Sequence, residues 1–80
     1  MNWNYRVLAH KQFEEIHFYI HEVYYDKDGK AHGYTERPVV VNSDSIKGMR
    51  WVTNKMKEAL SKPILKIWDF PNEYKDGEDV

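Results

Sequence analysis

The first 25 residues contain two segments in which successive side chains alternate between two faces, and this pattern limits the fold more than any other feature of the chain. The segments span residues 3–9 and 16–25. A period of two is typical of a β-strand, and the aromatic and β-branched residues of the second segment favour the same structure. The short stretch between them, residues 11–14, therefore predicts the connection of a β-hairpin.

The apolar side chains fix the register of this hairpin, because a slip of one residue turns every side chain over. Placing Val7 opposite Phe18 pairs apolar side chains along one whole face. The other face then carries a mixture of polar and aromatic side chains, with Arg6 opposite Tyr19. The alternation breaks close to Glu22, where we expect a β-bulge.

The rest of the chain predicts a second hairpin, a helix and a short strand. A tight turn containing Asp and Gly leads to a third strand over residues 31–41. Residues 43–61 carry apolar side chains at helical spacing, with Ser43, Asp44 and Ser45 as candidate caps at the start. Residues 63–70 are then expected to form a fourth strand.

The predicted fold class is α+β in the order β-β-β-α-β: a three-stranded antiparallel meander, one amphipathic helix packed on its apolar face, and a short fourth strand. Residues 1–70 form a single domain, and residues 71–80 form an acidic, flexible tail. The expected core combines the apolar face of the hairpin with one side of the helix and of the fourth strand. It comprises Trp3, Tyr5, Val7, Phe18, Ile20, Ile46, Met49, Thr53, Met56, Leu60 and one face of residues 64–67.

The composition excludes several classes of chemistry. The chain has no Cys, which excludes disulfides, thiolate metal sites and cysteine nucleophiles. No phosphate-binding glycine loop and no cluster of metal ligands is recognisable, so we expect neither a cofactor nor a metal. The apolar runs are far shorter than the ~20 residues that span a membrane, and no targeting segment is present, so we expect a cytoplasmic protein.

The charge is small overall but unevenly distributed. The net charge is −1, yet residues 43–68 carry six basic against two acidic side chains, and residues 69–80 carry five acidic against one basic. Non-specific binding to nucleic acid depends on unopposed positive charge. The acidic stretch that follows the basic one therefore weakens the case for a nucleic-acid partner.

Three stretches of the sequence resemble a family of short, uncharacterised bacterial proteins. They are Trp3-Asn4-Tyr5-Arg6-Val7, Ile20-His21-Glu22-Val23-Tyr24-Tyr25-Asp26-x-x-Gly29-Lys30 and Lys62-Pro63-Ile64-Leu65. This resemblance covers nearly the whole chain and implies no activity. A weaker resemblance is to the HicB-type antitoxin core, in which three strands precede a helix that begins like Ser45-Ile46-x-x-Met49. It implies the same fold and a role as an antitoxin.

The polar and aromatic face of the hairpin is one candidate functional surface. It carries His17, Tyr19 and His21 on the second strand, with Arg6 across from them and Tyr34 on the third strand. Residues four apart on a strand are separated by ~13 Å, so the two His cannot chelate one metal ion by themselves. The favoured interpretation is a solvated sheet face. The alternative is a surface that stacks bases, as RNA-binding sheets do.

Trp51 is the most informative single residue, because it lies far from the apolar stripe of the predicted helix, between Lys47 and Lys55. One interpretation is that the C-terminal aromatic residues Trp68, Phe70 or Tyr74 cover it. The other is that Trp51 is exposed and anchors an interface, since Trp is enriched at binding hot spots and the basic neighbours suit an acidic partner.

The functional hypothesis is a non-enzymatic module that binds another protein, in an antitoxin-like or inhibitor-like role. The alternative is an RNA-binding or RNA-cleaving module that uses His17, His21 and Arg6. A homodimer is also predicted, because the segment 64–68 has apolar side chains on both faces and only one charge. This dimer would bury the fourth strand together with Trp51. In the monomeric alternative, the acidic C-terminal tail folds back and covers them.

Overall fold

The structure, a computed structural model, describes residues 2–71. It has an α+β fold in which one helix accompanies a four-stranded mixed sheet. The elements are β1 (Asn2–Gln12), β2 (Glu15–Tyr25), β3 (Ala31–Tyr34), α1 (Ile46–Ala59), β4 (Leu65–Lys66) and a 3₁₀ turn (Ile67–Asp69). The predicted tail, apart from Pro71, lies outside the described residues.

The hairpin of β1 and β2 has the predicted faces in a different register. Val7 lies opposite Ile20 rather than opposite Phe18. The connection is a two-residue turn, Phe13-Glu14, and both strands are correspondingly longer than the sequence pattern indicated. The resulting shift is two residues, which equals the side-chain period of a strand, so each face keeps its composition.

The third strand is shorter than predicted. β3 ends at Tyr34, and its pairing with β2 is interrupted between Tyr24 and Tyr25 rather than at Glu22. Beyond β3 the chain meets the same edge of β2 at two points. The Thr35 N–H donates to the Glu22 carbonyl oxygen at 3.1 Å, and the Val39 N–H donates to the Ile20 carbonyl oxygen at 2.9 Å. Pro38 has no N–H to donate between them.

The fourth strand pairs with β1, and it is parallel to it. Leu8 lies opposite Leu65, and the strand order is β3-β2-β1-β4. Only two of the residues predicted as strand are in β4, because the chain turns at once into the 3₁₀ turn, which the Phe70 N–H closes by donating to the Ile67 carbonyl oxygen at 3.2 Å. This turn directs Phe70 onto the sheet, where its ring meets Tyr34 with centroids 4.9 Å apart.

The deepest core lies on the face that the sequence pattern predicted to be solvated. Leu8, Val23, Tyr34 and Phe70 form one buried cluster there, and His21 on the same face is completely buried. The prediction of a solvated polar face is therefore wrong. Leu8 and Val23 interrupt the polar pattern of that face, and the C-terminal segment with Phe70 covers them.

The helix packs on the opposite face, as predicted, but it covers less of the sheet than expected. Met56 and Ala59 of α1 are buried, as are Val7 and Ala9 of β1. Because α1 lies over β1, the apolar side chains of β2 at the hairpin end stay uncovered. Five expected core residues are exposed instead: Trp3, Phe18, Ile46, Thr53 and Leu60.

The start of α1 differs slightly from the prediction. Of the three candidate caps, Ser45 is the N-cap, and its Oγ accepts a hydrogen bond from the Gly48 N–H at 2.9 Å. Such a side-chain bond satisfies one of the free N–H groups of the first turn.

Candidate binding cleft

A cleft of about 310 Å³ separates the start of β1 from the C-terminal half of α1. Its walls combine three aromatic rings with three charged side chains. The lining residues are Trp3, Asn4 and Tyr5 from the strand and Trp51, Lys55, Glu58 and Lys62 from the helix and its end.

The helix wall follows from sequence spacing. Trp51, Lys55 and Glu58 follow one another at intervals of four and three residues, which places them on one side of α1, and Lys62 follows three residues after the helix ends. That side lies about a quarter-turn from the buried Met56 and Ala59, so it borders the sheet instead of pointing away from it.

The two tryptophans are the main apolar surfaces of the cleft. Trp51 is 54% exposed and Trp3 is 44% exposed. Trp3 packs edge-on against Tyr5, with centroids 5.3 Å apart and an interplanar angle of 82°. This contact supports the Trp3 ring from the strand side and leaves much of its surface open to the cleft.

The charges of the cleft are predominantly positive. The Lys55 Nζ lies 5.8 Å from the centroid of the Trp51 ring, within cation–π range, and 3.8 Å from the Glu58 carboxylate. Lys62 adds a second positive charge. Burial, with a smaller contribution from the Glu22 carboxylate, raises the pKa of Tyr5 above its usual value, so its hydroxyl stays neutral.

A chain of aromatic and imidazole rings runs through the other face of the sheet. The ring of His10 stacks on His21, with centroids 5.0 Å apart, and the two Nε2 atoms are 2.9 Å apart. Tyr19 meets His10 edge-on, and Tyr34 meets His21 in the same way. Burial lowers the pKa of His21 to about 4, although its bond to the Thr35 backbone acts in the opposite direction.

The hydrogen bonds of His21 determine its tautomer. Its Nδ1 lies 2.9 Å from the Thr35 carbonyl oxygen, which can only accept, so Nδ1 carries the proton. The Nε2 of neutral His21 is then an acceptor, and the Nε2–H of His10 donates to it. Burial also lowers the pKa of His10. The hydrogen bond between the two Nε2 atoms thus forms when both rings are neutral.

Arg6, on this same face, forms hydrogen bonds that connect separate parts of the fold. Its Nη1–H donates to the Tyr25 hydroxyl at 2.9 Å, and its Nη2–H donates to the Pro63 carbonyl oxygen at 2.6 Å. The Tyr25 hydroxyl donates in turn to Asn4 Oδ1 at 2.7 Å. Arg6 therefore ties the end of the helix to the hairpin.

The structure brings together only part of the predicted partner surface. Trp51 and Lys55 share the cleft, while Lys47 is an exposed residue of the helix outside the cleft lining. His17 is exposed and pairs with Glu15 at 3.1 Å. The other members of the predicted surface, which belong to the ring chain or to the Arg6 network, are mostly buried or half-buried: Arg6, Tyr19, His21 and Tyr34.

The C-terminal aromatic residues lie away from Trp51. Trp68 is beneath the Lys11 Nζ, 4.8 Å from its ring centroid, and Phe70 packs on Tyr34. Tyr74 lies outside the described residues. Among the described residues, neither Trp68 nor Phe70 therefore covers Trp51.

The sequence pattern missed two aromatic residues of the cleft. The alternation of Trp3 and Tyr5 with polar residues predicts that both belong to the core. Their position at the very start of a strand was a usable signal, since the helix above them ends there. The histidine pair was also missed, because His10 lies past the predicted end of the first strand.

Comparison of the chain with family models, with curated proteins and with solved structures finds no match. Within residues 2–71, no three His, Cys, Asp or Glu side chains gather closely enough to hold a metal ion. In the same part of the chain, no helix has the length and apolar character required to cross a membrane.

Proposed function

We propose that the protein is a cytoplasmic, non-enzymatic module that binds an acidic protein partner in the cleft between Trp3 and Trp51. An antitoxin-like or inhibitor-like role is the concrete form of this proposal. The observation that carries it is the pair of tryptophans on opposite walls, one from the strand and one from the helix, each about half exposed.

Two exposed tryptophans are costly for a domain of this size, and their chemistry suits a binding site. A domain this small has few large apolar side chains, and leaving two tryptophans uncovered sacrifices burial that would stabilise its core. Trp is enriched among residues that dominate binding energy, because it contributes a large, rigid surface with one hydrogen-bond donor. Lys55 and Lys62 at the same cleft favour carboxylates of the partner over basic groups.

The competing hypothesis of an RNA module has less support from the arrangement of its residues. His21 and Tyr34 are buried in the core, and Arg6 is occupied by Tyr25 and Pro63. A surface that stacks bases needs these side chains exposed on one face.

Affinity capture with the full chain, followed by identification of the bound proteins, is the first test. A candidate partner is then titrated against the purified protein and against Trp51→Ala and Trp3→Ala. We expect each substitution to weaken binding at least about tenfold, which corresponds to ~1.4 kcal/mol, and added salt to weaken it further.

Leu60→Ala is the matched control, because Leu60 is an exposed apolar residue of the helix region outside the cleft lining. It should leave the affinity unchanged. If the Trp51 and Trp3 variants bind the partner as tightly as the unchanged protein does, the proposal is refuted. Salt-dependent retention of single-stranded RNA by the unchanged protein, with no protein captured, would favour the RNA module instead.

A further inference from the structure

The hairpin end of β2 has an open edge. The carbonyl oxygens of Ile20 and Glu22 accept bonds from Val39 and Thr35, so the backbone groups of even-numbered β2 residues point away from β1. By the same period of two, the N–H and C=O groups of Ile16 and Phe18 point to this side. No backbone group among the described residues bonds to them there.

The side chains of this hairpin end are apolar and uncovered. Phe18 is 58% exposed, Ile16 is 51% exposed, and Phe13 at the tip is fully exposed. Phe13 also has a φ of 59°, in the left-handed region that glycine favours, and it is the only described residue other than glycine with a positive φ. Its conformational cost is not offset by packing within the domain.

Apart from the Glu15 carboxylate, the edge has none of the features that normally prevent strand association. Between Glu15 and Tyr19 there is no Pro, no Lys and no interruption of the β1 pairing. Natural edge strands usually carry at least one such protection unless they pair with something.

We propose that two copies of the chain associate through this edge, with β2 of one copy antiparallel to β2 of the other. Backbone bonds require an even-numbered residue opposite an even-numbered residue, and Val39 already occupies the edge at Ile20. Of the registers that meet both conditions, the one with Ile16 opposite Phe18 of the second copy pairs the longest stretch of β2, residues 15–19. The two-fold axis then passes beside His17, which lies opposite itself.

This register is self-complementary in shape as well as in hydrogen bonding. The hairpin tip of one copy reaches the Ile20 position of the other, where the chain leaves the edge with Val40 and Val41 exposed. Phe13 then meets these two valines. The uncovered apolar side chains amount to roughly 500–600 Å² per copy, so their complete burial in both copies would bring the interface to the lower limit of specific interfaces.

The charges at the axis also fit a second copy. The two His17 rings are neighbours across the axis, and the Glu15 carboxylate of each copy lies diagonally next to the His17 of the other as well as pairing with its own at 3.1 Å. The acidic side chains thus offset the charge that protonated His17 would bring to the interface.

This interface differs from the one that the sequence predicted, which used the fourth strand and Trp51. β4 has only two residues, and Leu65 within it and Ile67 after it pack partly against the core. The inference does not depend on the cleft between Trp3 and Trp51, so failure of one proposal leaves the other standing.

A disulfide trap tests the register directly, because the natural chain has no Cys. Residues at the axis of an antiparallel pair that do not exchange hydrogen bonds have Cα atoms about 4.5 Å apart, which permits a disulfide. We expect His17→Cys to convert to a covalent dimer under mild oxidation. Tyr19→Cys, whose counterpart in this register is Glu15, is the matched control and should cross-link much more slowly.

Sedimentation of the full chain provides the second measurement. We expect a dimer at about 100 µM, a concentration at which a dissociation constant of about 10 µM leaves most chains paired. Phe18→Lys should raise the dissociation constant at least about tenfold, while Leu60→Lys, at an equally exposed apolar site on the helix, should not. Circular dichroism should show that both variants remain folded.

Three results would overturn the proposal. They are a monomer throughout the concentration range, a dimer that Phe18→Lys leaves intact, and equal cross-linking of the two cysteine variants. An edge that pairs instead with a strand of another protein would appear as a monomer with no cross-linked product.

Discussion

Acidification should destabilise this protein through the pair formed by the buried His21 and the half-buried His10. Both rings are neutral in the folded state, and burial lowers the pKa of both below 6.5. Protonating His21 puts a proton on Nε2, where it confronts the Nε2–H of His10. The unfolded chain has no such conflict, so it binds protons that the folded chain does not.

The size of the effect follows from the His21 pKa. The folded value of about 4 lies below the ordinary 6.5, so stability is complete above pH 6.5 and is lost as the pH falls towards 4. At ~1.4 kcal/mol for each pKa unit, the loss between pH 7 and pH 4 is about 3 kcal/mol. A domain of this size has a total free energy of unfolding of roughly 4–12 kcal/mol.

The groups packed against the pair do not complicate the measurement of stability between pH 4 and 6.5. The rings packed against it belong to Tyr19 and Tyr34, neither of which is a carboxyl or imidazole group. The Asp26 carboxylate accepts N–H bonds from Lys30 and Asp28, which lower its pKa below 3.8. Its contribution is therefore lost only at lower pH.

Urea unfolding followed by tryptophan fluorescence, at pH values from 4 to 8, measures the loss. His21→Asn retains a donor for the Thr35 carbonyl and removes the titrating ring. This variant should be less stable than the unchanged protein at pH 7, but acidification should reduce its free energy of unfolding only slightly further. His17→Asn, an exposed residue of the same strand, should retain the full pH dependence. A stability that changes by less than about 0.5 kcal/mol from pH 7 to 4.5 would refute the argument.

Three further substitutions test the packing and the backbone. Leu8→Ala should cost about 2–5 kcal/mol in urea unfolding because Leu8 is completely buried, whereas Leu60→Ala at an exposed site should cost less than about 0.5 kcal/mol. Ser45→Ala should cost about 1 kcal/mol through loss of the bond to the Gly48 N–H, and an unchanged thermal midpoint would count against Ser45 as the cap. Phe13→Gly should stabilise the monomer by up to about 1 kcal/mol, since it relieves a positive φ without removing a packing contact; a destabilised monomer at low concentration would contradict this.

The sequence predicted the faces of the hairpin correctly and the pairing within it incorrectly. Alternation constrains which side chains share a face, and it cannot distinguish registers that differ by two residues. The turn decides between them, and its first residue is Phe13 rather than the glycine that such a turn prefers. A turn with that residue carries no recognisable sequence signal.

The extent of the helix and of the core was harder to predict for a different reason. Apolar periodicity shows which side of α1 faces the sheet, but not which strand it lies over. The core on the other face depends on Phe70, which returns to the sheet only because the chain turns after Lys66. That turn depends on tertiary packing, so residues 63–70 resembled a strand when considered alone.

The exposed surfaces follow from how this short chain distributes its apolar residues. Leu8 and Val23 on one face of the sheet need a cover, and the C-terminal segment supplies it; Val7 and Ala9 on the other face are covered by the helix. The helix covers one face of the sheet and the short C-terminal segment covers the other. Neither of them is large enough to cover its whole face. The uncovered parts are the start of β1, where the cleft lies, and the hairpin end of β2. These two surfaces lie at opposite ends of the hairpin, so a dimer formed through β2 would leave both copies of the cleft open for a partner.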